Sequence, residues 1–386
     1  MRMRSRCSCL SLILVTIGAL PCDALGAGRS EGQDTRTSTY WNAVARDLVR
    51  TNGVDPVSAS RVYAFVSIAQ NDAVATAQAG GEGSDQSAVV RDAVASSSVA
   101  VLAAFFPQDS DQLRALSLEN APGNAGTPGA MMGQVAAERV LARARGDGSD
   151  HEGEITIPQG PGYWRSATGS PPLRPYWGQV RPLLMESVDS FMPEPPPALE
   201  SASFRSALAE VKAMSSGLDK EHGELVHFWA DGIGTPTPAG HWNAIAAELI
   251  EMHRVSEQAA ARTFALLNIA LFDAGIACWK AKFSYWLARP NQIDPDIKPY
   301  ITVPNFPSYT SGHATFSGAA AEVLASLYPD QAERLQALAE DAAISRVYGG
   351  IHYSFDSEKG LEIGRRIGRL AVALNDQPGA LLPRLR

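Results

Sequence analysis

From Ser256 to Ala288 the chain runs through a long apolar stretch broken by no proline and by one glycine, Gly275. A helix this apolar on every side has to be buried, so other helices must surround it. The rest of the chain supplies them. Apolar residues recur at spacings of three and four over 38–51, 55–78, 84–106, 130–145, 200–216, 219–230 and 240–254, and again over 312–328, 330–346 and 358–375. Alanine is abundant in these segments and favours helix. Strand-like alternation is confined to short candidates such as 154–157. The fold class predicted is all-α, a helical bundle.

Two breaks interrupt the helices. Residues 146–198 are rich in proline and glycine and carry Trp164, Tyr176 and Trp177, aromatics that predict packing onto the body. Residues 291–310 follow Pro290 and contain Pro295, Pro299, Pro304 and Pro307. The chain has 386 residues, 45% of them hydrophobic and 19% charged, ample apolar material for a packed core. The net charge of −8, with no block of like charges, argues against a nucleic-acid partner. A small anion held by a few local cations stays open.

Arg2, Arg4 and Arg6 precede an apolar stretch of about a dozen residues that ends in small residues near Ala24-Leu25-Gly26. This layout predicts an export signal over residues 1–26 and a single all-α domain over 27–386, periplasmic or extracellular in a bacterium. No later stretch reads as long and apolar enough to span a membrane. Three of the four cysteines lie within the first 22 residues, which leaves Cys278 as a small core residue and excludes a disulfide framework.

Chemistry concentrates between residues 225 and 375, in three segments. In the first, Lys282 and Arg289 stand seven apart; on one helix they would project from nearly the same face. Pro290 then ends the helix. In the second, Pro307-Ser308-Tyr309-Thr310-Ser311-Gly312-His313 enters a helix whose first turn offers unpaired N–H groups. Gly312 permits close approach to the backbone, Ser311 adds a hydroxyl, and His313 adds a titratable group. In the third, Arg346 and His352 flank Gly349-Gly350, a break that can bring both to one point. Asp356, four beyond His352, could orient the imidazole or an arginine, and Asp231 is a second candidate orienter. His241 could line the mouth of the site, whereas His222, His227 and His151 read as solvated. Three cations, a hydroxyl, a helix N-terminus and two histidines suit a tetrahedral oxyanion such as phosphate or vanadate.

The pattern Lys-x6-Arg-Pro, Pro-Ser-x-x-Ser-Gly-His, Ser-Arg-x5-His-x3-Asp resembles the superfamily of type 2 phosphatidic acid phosphatases and vanadium haloperoxidases. Within it, the segments around Trp279–Pro290, Phe306–Ala320 and Phe228–Asn243 are similar to the chloroperoxidase branch. The resemblance implies a vanadate cofactor with His352 as the metal ligand. It implies oxyanion contacts from Lys282, Arg289, Arg346, the Ser311 hydroxyl and the Gly312 N–H. His313 would be the acid–base group, with Asp231 hydrogen-bonded to it and Asp356 steadying His352 or an arginine. Lys282 would also assist catalysis, and Trp279 and Phe306 would flank the halide. The implied reaction oxidises halide with hydrogen peroxide to a hypohalite equivalent that attacks a small organic acceptor. The same site without vanadium would suit an exported acid phosphatase working through a phosphohistidine at His352. A non-catalytic oxyanion-binding protein is the third reading; it expects His352→Ala to change no activity.

Overall fold

A computed structural model describes residues 37–80, 86–120 and 126–385, all within one compact unit, Arg36–Arg386. The expected export signal lies outside the described residues. In chain order the α-helices are α1 (Thr37–Thr51), α2 (Pro56–Ala79), α3 (Gln86–Phe105), α4 (Ser110–Asn120), α5 (Pro128–Arg145), α6 (Ala202–Ser216) and α7 (Lys220–Phe228). They continue with α8 (Thr237–Met252), α9 (Glu257–Tyr285), α10 (Pro290–Ile293), α11 (Gly312–Leu327), α12 (Ala332–Tyr348) and α13 (Ser354–Val372). The described residues contain no strand, and the candidate at 154–157 is irregular backbone.

Local chemistry sets most helix starts. Asp55, Thr127, Ser201, Asp219, Ser256 and Ser311 each cap a helix by accepting a backbone N–H within its first turn. Helix α9 is the central rod, packed against α2, α8, α11 and α13. Its Phe264, Leu266, Leu267, Ile269, Leu271, Phe272 and Ile276 are all fully buried, and each large apolar side chain stabilises the core by about 1.5–3 kcal/mol. The two polar residues at its centre are paired. Asn268 joins a buried ladder in which Asn42 donates to Asn243 at 2.7 Å, Asn243 to Asn268 at 2.6 Å and Asn268 to Ser67 at 2.9 Å. Asp273 accepts the N–H groups of Leu183, Leu184 and Met185 at 2.7, 2.8 and 3.0 Å. By length and composition, α3 and α9 are long and apolar enough to cross a membrane, which corrects the reading that no such stretch exists. In α9 that apolar window is 94% buried inside the protein, the position of a core helix.

Helices α11 and α13 approach each other more closely than ordinary side chains allow. Gly360, Gly364 and Gly368 repeat every fourth residue along α13, on one face. A Cβ at Gly364 would lie 2.2 Å from the Thr315 carbonyl oxygen, and one at Gly318 would lie 2.6 Å from that of Leu361. This contact brings the N-termini of the two helices together, and the Ser311 N–H donates to the Asp356 carbonyl at 3.0 Å.

The 146–198 segment packs onto the body as its aromatics predict, with Trp164 and Trp177 buried. The Trp164 N–H donates to the Trp286 carbonyl at 2.7 Å, and that of Leu173 to Asn305 at 3.0 Å. The segment therefore braces the exit of α9 and the proline-rich 291–310 loop.

Candidate active site

The carboxyl end of α9, the 291–310 loop and the first turns of α11 and α13 meet at one place. Lys282 and Arg289 reach it differently from the single helix face expected. Helix α9 stops at Tyr285 because Trp286 adopts a left-handed conformation (φ 53°). The chain then turns, and Arg289 becomes the residue that caps α10. Both cations still arrive at the site, by chain reversal.

Lys282, Arg289, Arg346 and His352 are all buried. Lys282 Nζ donates to the carbonyls of Pro307 and Ser308 at 2.9 Å each, and to that of Thr310. Arg289 donates from Nε to the Phe306 carbonyl at 3.0 Å and from Nη1 to that of Ile351 at 2.8 Å. Arg346 Nη2 donates to the Val226 carbonyl at 2.9 Å. None of these partners carries charge. Burial pushes Lys282 down to about 7, and Arg289 and Arg346 down to about 10 each.

The His352 tautomer follows from its partners. Arg289 Nη1 sits 3.0 Å from Nε2 and can only donate, so Nε2 carries a lone pair. Nδ1 therefore carries the hydrogen, which it donates to Asp356 Oδ2 at 2.8 Å. Of the two orienting roles open to Asp356, the geometry selects the imidazole. Ser308 Oγ, at 2.5 Å, and the Tyr353 N–H, at 3.2 Å, donate to the same oxygen. Burial raises the Asp356 carboxyl to about 6, opposed by the Ser308 hydrogen bond and by the charges of Lys282 and Arg289. Burial, then the charges of Arg289 and Lys282, hold the His352 imidazole well below the usual histidine range. Donation from Arg289 to Nε2 likewise requires the neutral ring.

Ser311 is fully buried, and its Oγ accepts the Ala314 N–H at 3.4 Å, which leaves its hydroxyl hydrogen to donate elsewhere. Gly312 and His313 occupy the first turn of α11, where backbone N–H groups have no acceptor within the helix. A Cβ at Gly312 would stand 3.7 Å from the Trp279 ring, an ordinary contact, so protein packing alone does not demand glycine there. The Trp279 and Phe306 rings touch at 4.9 Å between centroids. Lys282 Nζ lies 5.0 Å from the Phe306 centroid, and the Arg289 guanidinium carbon 5.1 Å from it. Both cations thus rest against the same aromatic ring.

Asp231 departs from expectation. Its carboxylate is 4.0 Å from His313 Nε2, too far for the hydrogen bond implied by the resemblance. It instead pairs with His241 Nδ1 at 3.0 and 3.2 Å. His313 is held well below the usual histidine range by burial and by the Arg346 charge, while a hydrogen bond to the Trp229 backbone works the other way. Two contributors escaped the sequence reading. Ser308 stood inside the motif without a role, and the His241–Asp231 pair bridges ten residues across a loop.

The donor set suits an anion and not a bare cation. Among the described residues no cluster of three or more His, Cys, Asp or Glu side chains could hold a metal ion. Arg289 Nη2 and His313 Nε2 are buried with no hydrogen-bond partner. Three buried cations also outnumber the two carboxylates near them. An oxyanion such as vanadate would satisfy both observations, and it could take the Nε2 lone pair of His352 only if Arg289 Nη1 gives up its donation there.

The fold is an all-α bundle that gathers Lys282, Arg289, Arg346, His313 and His352 at one place. Residues 262–378 match the PAP2 superfamily, a span that includes Lys282, Arg289, Ser311, Gly312, His313, Arg346, His352 and Asp356. The vanadium chloroperoxidase of Curvularia inaequalis is 28% identical over 198 residues, covering 40% of this chain and 32% of that protein. The chain thus spans about a third of the length of this curated relative. The structure of a bacterial vanadium-dependent iodoperoxidase superposes with a TM-score of 0.75 at 23% identity, over 89% of this chain and 98% of that one. A holo-type bacterial vanadium-dependent chloroperoxidase gives 0.73 at 16% identity, over 92% and 99%. The all-α architecture is therefore that of the bacterial vanadium haloperoxidases, and the resemblance read from the three motifs holds.

Proposed function

We propose that this protein is a vanadate-dependent haloperoxidase that oxidises a halide with hydrogen peroxide. The observation that carries the reading is the neutral His352, its Nε2 lone pair fixed by Asp356 and surrounded by three buried cations. Bound there, vanadate supplies the Lewis acidity that activates peroxide toward a halide. Arg289, Arg346, the Ser311 hydroxyl and the Gly312 N–H would hold its oxygens and offset their charge, and Lys282 would join them by turning one N–H from its three backbone carbonyls. His313, kept neutral by burial and by Arg346, takes a proton from hydrogen peroxide at Nε2. Trp279 and Phe306 make a dry wall beside Lys282 where a halide can sit shielded from water. The hypohalite equivalent then leaves for a small organic acceptor. The arginine-rich, apolar N-terminal segment supports an exported enzyme.

The same lone pair favours a second reading, an acid phosphatase. His352 Nε2 would form a bond to phosphorus as the ester P–O bond breaks, and His313 would protonate the leaving alcohol. One experiment separates the two readings. The purified protein is incubated with orthovanadate and assayed for halogenation of a phenol with peroxide and chloride, bromide or iodide in turn. It is assayed in parallel, with and without vanadate, for phosphomonoester hydrolysis. Turnover with at least one halide, lost in His352→Ala, supports the haloperoxidase. Hydrolysis that vanadate blocks, with no halide turnover, replaces it with the phosphatase.

A further inference from the structure

Asp231 has two histidine neighbours and bonds one of them. Its oxygens lie 3.0 and 3.2 Å from His241 Nδ1, whereas His313 Nε2 is 4.0 Å away and buried without a partner. The His241 ring is clamped. It stacks on Trp229 with centroids 4.4 Å apart and planes at 23°, and meets the edge of Phe228 at 4.8 Å. Trp229 is itself fully buried and packs against Trp242. The backbone beneath the ring is equally constrained, since a Cβ at Gly240 would lie 2.6 Å from both Tyr63 Oη and Pro236 Cβ. A ring held this way keeps Nδ1 in one place, and the Asp231 carboxylate stays with it.

A hydrogen bond to the Trp229 backbone favours the protonated His313 ring. Its acceptor is therefore the carbonyl. With Nε2 unpartnered, the hydrogen of the neutral ring is on Nδ1 and the lone pair on Nε2.

We propose that His241 is a positioning residue that holds the Asp231 carboxylate off His313, so that His313 Nε2 stays open to take a proton from a substrate in the site. This rests on the acid–base role given to His313 above. Without the Nδ1–H of His241, the carboxylate closes onto Nε2, which takes up a proton to meet it and ceases to be a base. Arg346 from α12, Lys282 from α9, His241 from α8 and burial all oppose a charged His313. A carboxylate in contact is what can outweigh them, because an opposite charge in contact favours the charged form by about 1–3 pH units.

The test follows the His313 imidazole by NMR titration of the full chain without vanadate. His241→Phe keeps a ring stacked on Trp229 and removes the donor. His241→Asn places an amide N–H where Nδ1 stands. The expected result is a rise of about one pH unit or more in the His313 midpoint for His241→Phe. No comparable rise is expected for His241→Asn, nor for His241→Phe combined with Asp231→Asn. An unchanged midpoint in His241→Phe, or a rise that survives Asp231→Asn, overturns the proposal. In vanadate-loaded enzyme the acidic limb of the pH–rate profile moves upward with the midpoint. If the wild type turns over no halide while the NMR pattern holds, the haloperoxidase reading fails and the positioning role stands.

Discussion

Arg289→Lys separates geometry from charge at the centre of the site. The guanidinium is fixed by donation from Nε to the Phe306 carbonyl at 3.0 Å and from Nη1 to the Ile351 carbonyl at 2.8 Å and His352 Nε2 at 3.0 Å. This leaves Nη2 buried and without a partner. On the proposed reading, Nη2 is the donor aimed at the oxyanion. A lysine keeps the positive charge, but its single compact ammonium cannot satisfy the two carbonyls and still reach the guest. A hydrogen bond to a charged group contributes about 1.5–3 kcal/mol, so the variant should bind orthovanadate about 10- to 150-fold more weakly. Isothermal titration calorimetry on the full chain measures this directly, with thermal unfolding run alongside to show that the variant is folded. A loss of less than about threefold in a folded variant, under 1 kcal/mol, would refute the role given to the guanidinium fork.

Other predictions follow from the same geometry. Burial holds Lys282 at about 7, and a bound anion restores its charge, so binding takes up a proton above that pH. Sulfate affinity, measured by calorimetry because sulfate stays dianionic, should fall as pH rises from 7 to 9 by up to about tenfold per unit, and Lys282→Met should flatten the dependence. Gly364→Ala places a Cβ 2.2 Å from the Thr315 carbonyl oxygen and should lower stability by about 1–3 kcal/mol in urea unfolding. A wild-type midpoint there would contradict the close crossing of α11 and α13. Asp273→Ala strands three N–H groups of the 146–198 segment, two of them buried, and should cost about 3 kcal/mol or more. Limited proteolysis should then cut that segment faster than in wild type.

The helices were legible because burial imposes a period. The rod read over 256–288 is α9, Glu257–Tyr285, and the reads over 38–51 and 55–78 sit within a residue of α1 and α2. Helix α4 was not read; it is short, polar and contributes no strong apolar stripe. The site residues were legible as chemistry, since cations, Ser-Gly-His and His-x3-Asp are sparse and specific. Their geometry was less so. Helical spacing put Lys282 and Arg289 on one face, but the left-handed Trp286 ends the helix between them, and nothing in the local sequence marks a tryptophan for that conformation. The break at Gly349-Gly350 was read correctly, and Gly350 takes φ 72°. The Asp231–His313 hydrogen bond was misassigned because the choice between His241 and His313 depends on how α8 packs over the loop. The glycine ladder on α13 was visible in the sequence at every fourth residue, but its meaning needs the partner helix.

The central claim is that His352 Nε2 and its buried cations hold a single tetrahedral oxyanion. A crystal structure of the full chain soaked in orthovanadate, with vanadium located by its anomalous signal, addresses it most directly. The account predicts one vanadium at bonding distance from His352 Nε2, its oxygens contacted by Lys282, Arg289, Arg346, Ser311 and the Gly312 N–H. Vanadium bound elsewhere, or bound here through a different side chain, would contradict it.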